Sequence, residues 1–76
     1  MIRKLHIDAL WDDEAKVWLA TSADVARLCV EAETWAGMME EVRLILPDLM
    51  ALNDQSADRF ALTFRAESHL DVARAS

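Results

Sequence analysis

Residues 34–52, TWAGMMEEVRLILPDLMAL, decide the fold. Trp35, Met38, Met39, Val42, Ile45, Leu46 and Leu49 recur at i, i+3, i+4, i+7, i+10, i+11 and i+14. On a helix of about 3.6 residues per turn these positions make one continuous apolar stripe. A stripe of that length has to be covered. Every other patterned segment has the period of a strand, so the expected cover is a sheet. Thr34 offers a side-chain oxygen at the N-cap. Glu31 and Glu33 lie just before it, where the helix dipole favours negative charge. Pro47 interrupts the pattern: it has no N–H, and its ring clashes with the carbonyl of Arg43. We therefore expect one kinked helix, with a main part over 34–46 and a further turn or two over 47–52. Gly37 and Leu44 point away from the stripe, beside Glu40 and Glu41. A glycine inside a helix costs roughly 1 kcal/mol relative to alanine, and nothing in the sequence compensates for it.

Upstream of the helix the period changes to two. Over residues 3–11, Leu5, Ile7, Ala9 and Trp11 share one side; Lys4, His6, Asp8 and Leu10 share the other. Residues 12–15, DDEA, suit a type I turn. Residues 16–22 alternate again, with Val17, Leu19 and Thr21 on one side and Trp18 and Ala20 on the other. A hairpin that pairs Trp11 with Val17 sets Ala9 opposite Leu19, Ile7 opposite Thr21, and Leu10 opposite Trp18 on the reverse face. Residues 22–26 are a short connection. Residues 27–32 read as a third strand with Leu28, Val30 and Ala32 inward and Cys29 and Glu31 outward. Downstream of the helix, residues 53–58 are a polar loop. Residues 60–66 are a fourth strand with Phe60, Leu62, Phe64 and Ala66 on one face.

The expected class is α+β with the order β-β-β-α-β. A right-handed crossover through the helix brings strand four beside strand one, which gives a four-stranded mixed sheet in the order 3-2-1-4. Residues 1–66 form this domain, and residues 67–76 are a tail, either a short helix anchored by Leu70 and Ala73 or disordered. The reverse face of the sheet would expose Leu10, Trp18, Ala20, Cys29, Ala61 and Thr63. A Trp beside a Leu on an open sheet face suits a contact surface. Partial cover by the tail is the other reading, and the residues alone do not separate the two.

A chain of 76 residues with a single cysteine can form no internal disulfide and buries a modest share of its surface. Good packing or oligomerisation has to supply the remainder, and a dimer is expected. Residues 1–13 do not read as a signal peptide, no apolar run approaches membrane length, and an unpaired cysteine fits a reducing compartment, so the expected location is cytoplasmic. The net charge is −6. Residues 12–48 hold nine acids, Asp12, Asp13, Glu14, Asp24, Glu31, Glu33, Glu40, Glu41 and Asp48, against Lys16, Arg27 and Arg43. Acidic surface disfavours direct contact with nucleic acid and favours a basic partner protein. Solubility alone also accounts for such a charge.

Little here points to catalysis. Gly37 is the one glycine, so a glycine-rich phosphate loop is excluded. His6 and His69 belong to no metal-ligand motif. Cys29 on a strand has no base predictable beside it, and reads as a small, half-buried apolar side chain. The β-β-β-α-β order is also the front of a ribonuclease H-like fold. Nucleases on that fold gather carboxylates from strand one, the helix and strand four around cations. Asp8 and Glu40 or Glu41 are available, but strand four offers only Arg59 and Arg65, so no catalytic or metal-binding residue is assigned.

The run from Ile7 to Leu49 resembles HicB-like antitoxin domains. Trp18-Leu19-Ala20 stands for their "W-x-A" strand. Asp24-Val25-Ala26-Arg27-Leu28 stands where D-x-P-G-L is usual. Val30-Glu31-Ala32-Glu33-Thr34 matches their "V-x-E-A-x-T" segment before the helix. Pro47, the "L-x-x-L-N" end at Leu49-Met50-Ala51-Leu52-Asn53, and Ala66-Glu67-Ser68-His69 are more similar to an uncharacterised bacterial branch of that superfamily. The resemblance implies a degenerate ribonuclease H-like domain without catalysis or cofactor, which binds and masks a small, basic ribonuclease toxin. Two departures matter: Ala26-Arg27 replaces the Pro-Gly, and no DNA-binding tail is expected. Partner contacts are then expected at Leu10, Trp18 and Cys29 on the reverse face, at Asp12 and Asp13 in the turn, and at Glu31, Glu40, Glu41 and Leu44. A stand-alone homo-oligomeric interaction domain without a toxin is the alternative.

Overall fold

The computed structural model describes residues 2–53 and 57–74. Strands β1 (Ile2–Asp12), β2 (Val17–Thr21) and β3 (Cys29–Ala32), helix α1 (Trp35–Leu52) and strand β4 (Arg59–Glu67) follow one another in that order. The strands form one sheet in the order β3-β2-β1-β4. Both β1–β2 and β2–β3 are antiparallel, while β4 runs parallel to β1 after the helical crossover. The α+β architecture expected from the sequence is therefore the observed one. Of the expected loop at 53–58, residues 54–56 lie outside the described residues, as do residues 75–76 of the tail.

The core lies between α1 and one face of the sheet. Leu5, Ile7 and Ala9 of β1, Ala20 of β2 and Val30 of β3 meet Met38, Val42, Leu46 and Met50 of α1. The buried helix positions advance by four, and Trp35, Ile45 and Leu49 flank them half-buried. Met39, counted in the stripe from its spacing, sits at the solvent edge, and Met50 is buried in addition. Thr34 caps α1 through a 2.9 Å bond from the backbone N–H of Gly37 to Thr34 Oγ1. A Cβ on Gly37 would stand 2.9 Å from that same hydroxyl. The glycine is thus compensated locally, because a larger residue would push the cap aside.

The helix does not restart at Pro47; it runs unbroken to Leu52. Pro47 is exposed, so the Arg43 carbonyl deprived of its partner lies on the wet side of α1, where water can serve it. Leu46, Leu49 and Met50 hold the following turns on the core.

The hairpin register differs by one residue from the expected one. Trp11 pairs with Trp18, Leu10 with Leu19, Ala9 with Ala20 and Asp8 with Thr21. A slip of one residue turns every side chain of a strand to the opposite face. Trp18 and Ala20 therefore face α1, and Val17, Leu19 and Thr21 face away. The turn explains the slip. Asp12 pairs with Val17, so four residues make the link. Asp12 Oδ1 accepts from the N–H groups of Glu14 (3.1 Å) and Ala15 (3.2 Å), and Lys16 closes the turn at φ 59°. The inner face gains in return. The Trp18 ring lies 5.4 Å from Trp11 and 4.9 Å from Trp35, and Trp35 is 6.0 Å from Phe64. Such tilted and edge-on pairs contribute about 0.5–1.5 kcal/mol each beyond the area they bury.

β3 begins at Cys29 and not at residue 27 as expected, because Arg27 takes a left-handed turn conformation; the connection from β2 therefore runs to Leu28 and is part of the core. Val25 is 1% exposed and Leu28 4%. The Leu28 N–H reaches the Val25 carbonyl at 3.4 Å, closing a turn in which Arg27 takes φ 69°. Asn53 ends α1, with its backbone N–H on the Leu49 carbonyl at 3.1 Å. Its side-chain amide reaches the same carbonyl at 3.0 Å and the Ala26 carbonyl at 3.5 Å. Residues 68–74 form neither helix nor strand, so the short tail helix is not observed among the described residues. Leu70 is 87% exposed and anchors nothing.

Candidate partner-binding surface

The sheet face turned away from α1 is open. Its rows follow from the register. Cys29, Thr21, Asp8 and Arg65 lie side by side across the four strands; Glu31, Leu19, Leu10 and Glu67 form the next row. Leu10 and Leu19 sit at the centre of the second row, with a carboxylate at each end. Leu10 is 38% exposed. Asp8, Thr21, Arg65 and Glu67 surround the two leucines in a shallow depression of about 330 Å³. Residues 68–74 of the tail are exposed throughout, so cover of this face by a packed tail is not observed among the described residues.

The expected contact residues fall on three separate surfaces. Leu10, Cys29 and Glu31 share the open sheet face, where Cys29 is exposed and not half-buried as expected, because it lies at the start of the edge strand on the face away from α1. Trp18 does not join them: it packs beneath α1, and Leu19 takes its place. Asp12 and Asp13 are at the hairpin tip. Asp12 is committed to the turn itself, whereas Asp13 accepts from Lys16 Nζ at 2.8 Å and Trp11 Nε1 at 3.4 Å. The Lys16 hydrogen bond, aided by that from Trp11, holds the Asp13 carboxyl below its ordinary pKa. Glu40, Glu41 and Leu44 lie on the exposed side of α1, across the sheet from Leu10. The Arg43 guanidinium binds Glu40, with Nε at 2.9 Å from Oε2, and lowers its carboxyl pKa; the pKa of Arg43 rises in turn.

Leu19 and the Asp8/Arg65 pairing escaped the sequence reading because all three depend on register. The only available signal was the size of Trp18, which fits better beneath a helix than in water.

Asp8 and the two helix glutamates stand on opposite sides of the sheet. β4 extends to Glu67, one residue further than expected, and so does carry a carboxylate on the Asp8 face. Among the described residues no three His, Cys, Asp or Glu side chains gather closely enough to hold a metal ion. No helix among them is long and apolar enough to cross a membrane.

Comparison with known proteins adds a family. The chain is similar over 95% of its length to the whole of hypothetical protein TTHA1013 from the extremely thermophilic bacterium Thermus thermophilus, with 32% identity and a TM-score of 0.72 to its crystal structure. No curated protein matches it. Residues 4–73 match the model of a domain of unknown function, DUF1902. With nearly its full length inside that match, the chain belongs to the DUF1902 family.

Proposed function

We propose that this chain is a non-catalytic protein-binding domain, an antitoxin of the HicB-like kind that masks a small basic ribonuclease toxin. One observation carries the reading. All nine acids between residues 12 and 48 are exposed, at the hairpin tip, beside β3 and along the open side of α1. β1 and β4 carry Arg3, Lys4, Arg59 and Arg65 beside Asp8 and Glu67, so the acid excess lies at the hairpin tip, the β3 side and α1. A basic partner would be steered to the acidic half, and a phosphate backbone repelled from it.

Two local features support the resemblance. Arg27 occupies a left-handed position where the HicB-like motif has glycine. Asn53, the last residue of the "L-x-x-L-N" end, ties the helix C-terminus to that same turn. The test is co-expression with any small basic protein encoded next to this gene. A stable complex, relief of growth arrest, and weakening by Glu40→Lys/Glu41→Lys or by salt are expected. Absence of both complex and relief refutes the proposal. A second reading, a stand-alone homo-oligomer, is favoured by the unpaired outer edge of β4.

A further inference from the structure

β4 is the last strand of the sheet, and its far edge meets no other strand. None of its backbone groups makes a hydrogen bond outside the sheet to another described residue. Natural sheets blunt such edges with prolines, bulges, very short strands or charged side chains, and of these β4 has only the charges of Arg59, Arg65 and Glu67. β3, the opposite edge, is four residues long. β4 is nine residues long, contains no proline, and pairs with β1 without a bulge from Arg59 to Glu67. Its inner side is also incompletely covered. The axis of α1 lies nearest β2 and β3, and Phe60, Leu62 and Phe64 are left half-buried. A depression of about 440 Å³ opens beside Phe60 and Leu62, between β4 and the Leu46–Pro47 stretch of α1.

We propose that this edge is a homodimer interface, in which β4 pairs antiparallel with β4 of a second copy about a two-fold axis at Thr63. The strand sequence RFALTFRAE specifies the register. Centring on Thr63 pairs all nine residues and sets Arg59 opposite Glu67 at both ends, both exposed on the outer face. On the inner face it sets Leu62 opposite Phe64 and Phe60 opposite Ala66. Centring on Leu62 would set Arg59 against Arg65, and centring on Arg65 would set that arginine against its own copy. Opposite charges directly across a strand pair stabilise it, and like charges destabilise it. In the single chain Glu67 faces His69 at 3.5 Å, an exposed contact that leaves the carboxylate free to turn. The result is an eight-stranded sheet with a continuous apolar strip between two helices. Self-pairing leaves the hairpin tip, β3 and the open side of α1 free, so it does not depend on the antitoxin reading.

The experiment is sedimentation equilibrium on the wild type and on charge variants at exposed positions, with each fold checked by circular dichroism. A dimer is expected. Arg59→Glu and Glu67→Arg should each weaken it on the order of tenfold, and the double variant should restore it. In a Cys29→Ser background, Thr63→Cys should form a disulfide between copies under mild oxidation. Ala61→Cys, which this register keeps far from its own copy, should not. A wild type that is monomeric throughout overturns the proposal. So does a dimer indifferent to the charge swap, or one that cross-links equally through Ala61→Cys.

Discussion

The carboxylate of Asp24 accepts the backbone N–H of His6 at 2.8 Å. In the same place Ser22 Oγ donates to the His6 carbonyl at 2.6 Å and accepts from the Asp24 N–H at 3.0 Å. β2 leaves the sheet after Thr21, and these two side chains replace the backbone partners that β1 would otherwise lose at His6. Strand-end N–H and C=O groups need such partners. Asp24→Ala should therefore destabilise the fold by about 1–2 kcal/mol and speed amide exchange at His6. Asp24→Asn keeps an acceptor and should cost less. Chemical denaturation and hydrogen exchange read both.

Thr34 and Gly37 should be energetically coupled. Thr34→Ala removes the cap and should cost about 1 kcal/mol. Gly37→Ala gains helix propensity yet collides with the Thr34 hydroxyl, so alone it should be neutral or destabilising. In the Thr34→Ala background the same change should stabilise by up to about 1 kcal/mol. Equal effects in both backgrounds would refute the coupling.

Arg27 sits at φ 69°, a region that costs a side chain with a Cβ about 1–2 kcal/mol. Arg27→Gly should raise stability by about 0.5–1 kcal/mol after the added freedom of the unfolded chain is subtracted. Arg27→Val should lower stability, since a branched side chain tolerates that conformation poorly. Thermal midpoints of the two variants should fall on opposite sides of the wild type.

Trp18 and Leu19 should behave as the observed register requires. Trp18→Ala removes the ring between Trp11 and Trp35 and should cost about 2–4 kcal/mol. Leu19→Ala, on the open face, should cost under about 1 kcal/mol. A reversed ranking by urea denaturation would contradict this hairpin.

The Asp13 carboxyl is held below its ordinary pKa, chiefly by the Lys16 hydrogen bond. A group whose folded pKa is depressed adds stability above its unfolded pKa, and that stability disappears as pH falls through the folded value. The tip should thus loosen only in acid, below the ordinary carboxylate range. Lys16→Met should return the Asp13 titration, followed by side-chain NMR, toward the ordinary value.

The element order, the α+β class and the Thr34 cap were legible in the sequence because each follows from local chemistry. A 3.6 period, a period of two and a capping hydroxyl act within a few residues. The inward pair Val30 and Ala32 was legible for the same reason, whereas Leu28 is buried from the turn before β3 and not as part of the strand. The candidate surface was legible only in part. Leu10, Cys29 and Glu31 were placed correctly because their strands alternate cleanly. Trp18 was misplaced because a hairpin's register depends on how its turn closes. Here it closes on one left-handed lysine, and the ring it turns inward takes its cover from a helix that begins only after β3. The tertiary structure alone decided which tryptophan is sheltered and which leucine is open, how Gly37 spares its cap, and that the β4 edge lies bare. These outcomes turn on how a strand, a turn and a helix meet in space, and those distances are set only when the layers pack together.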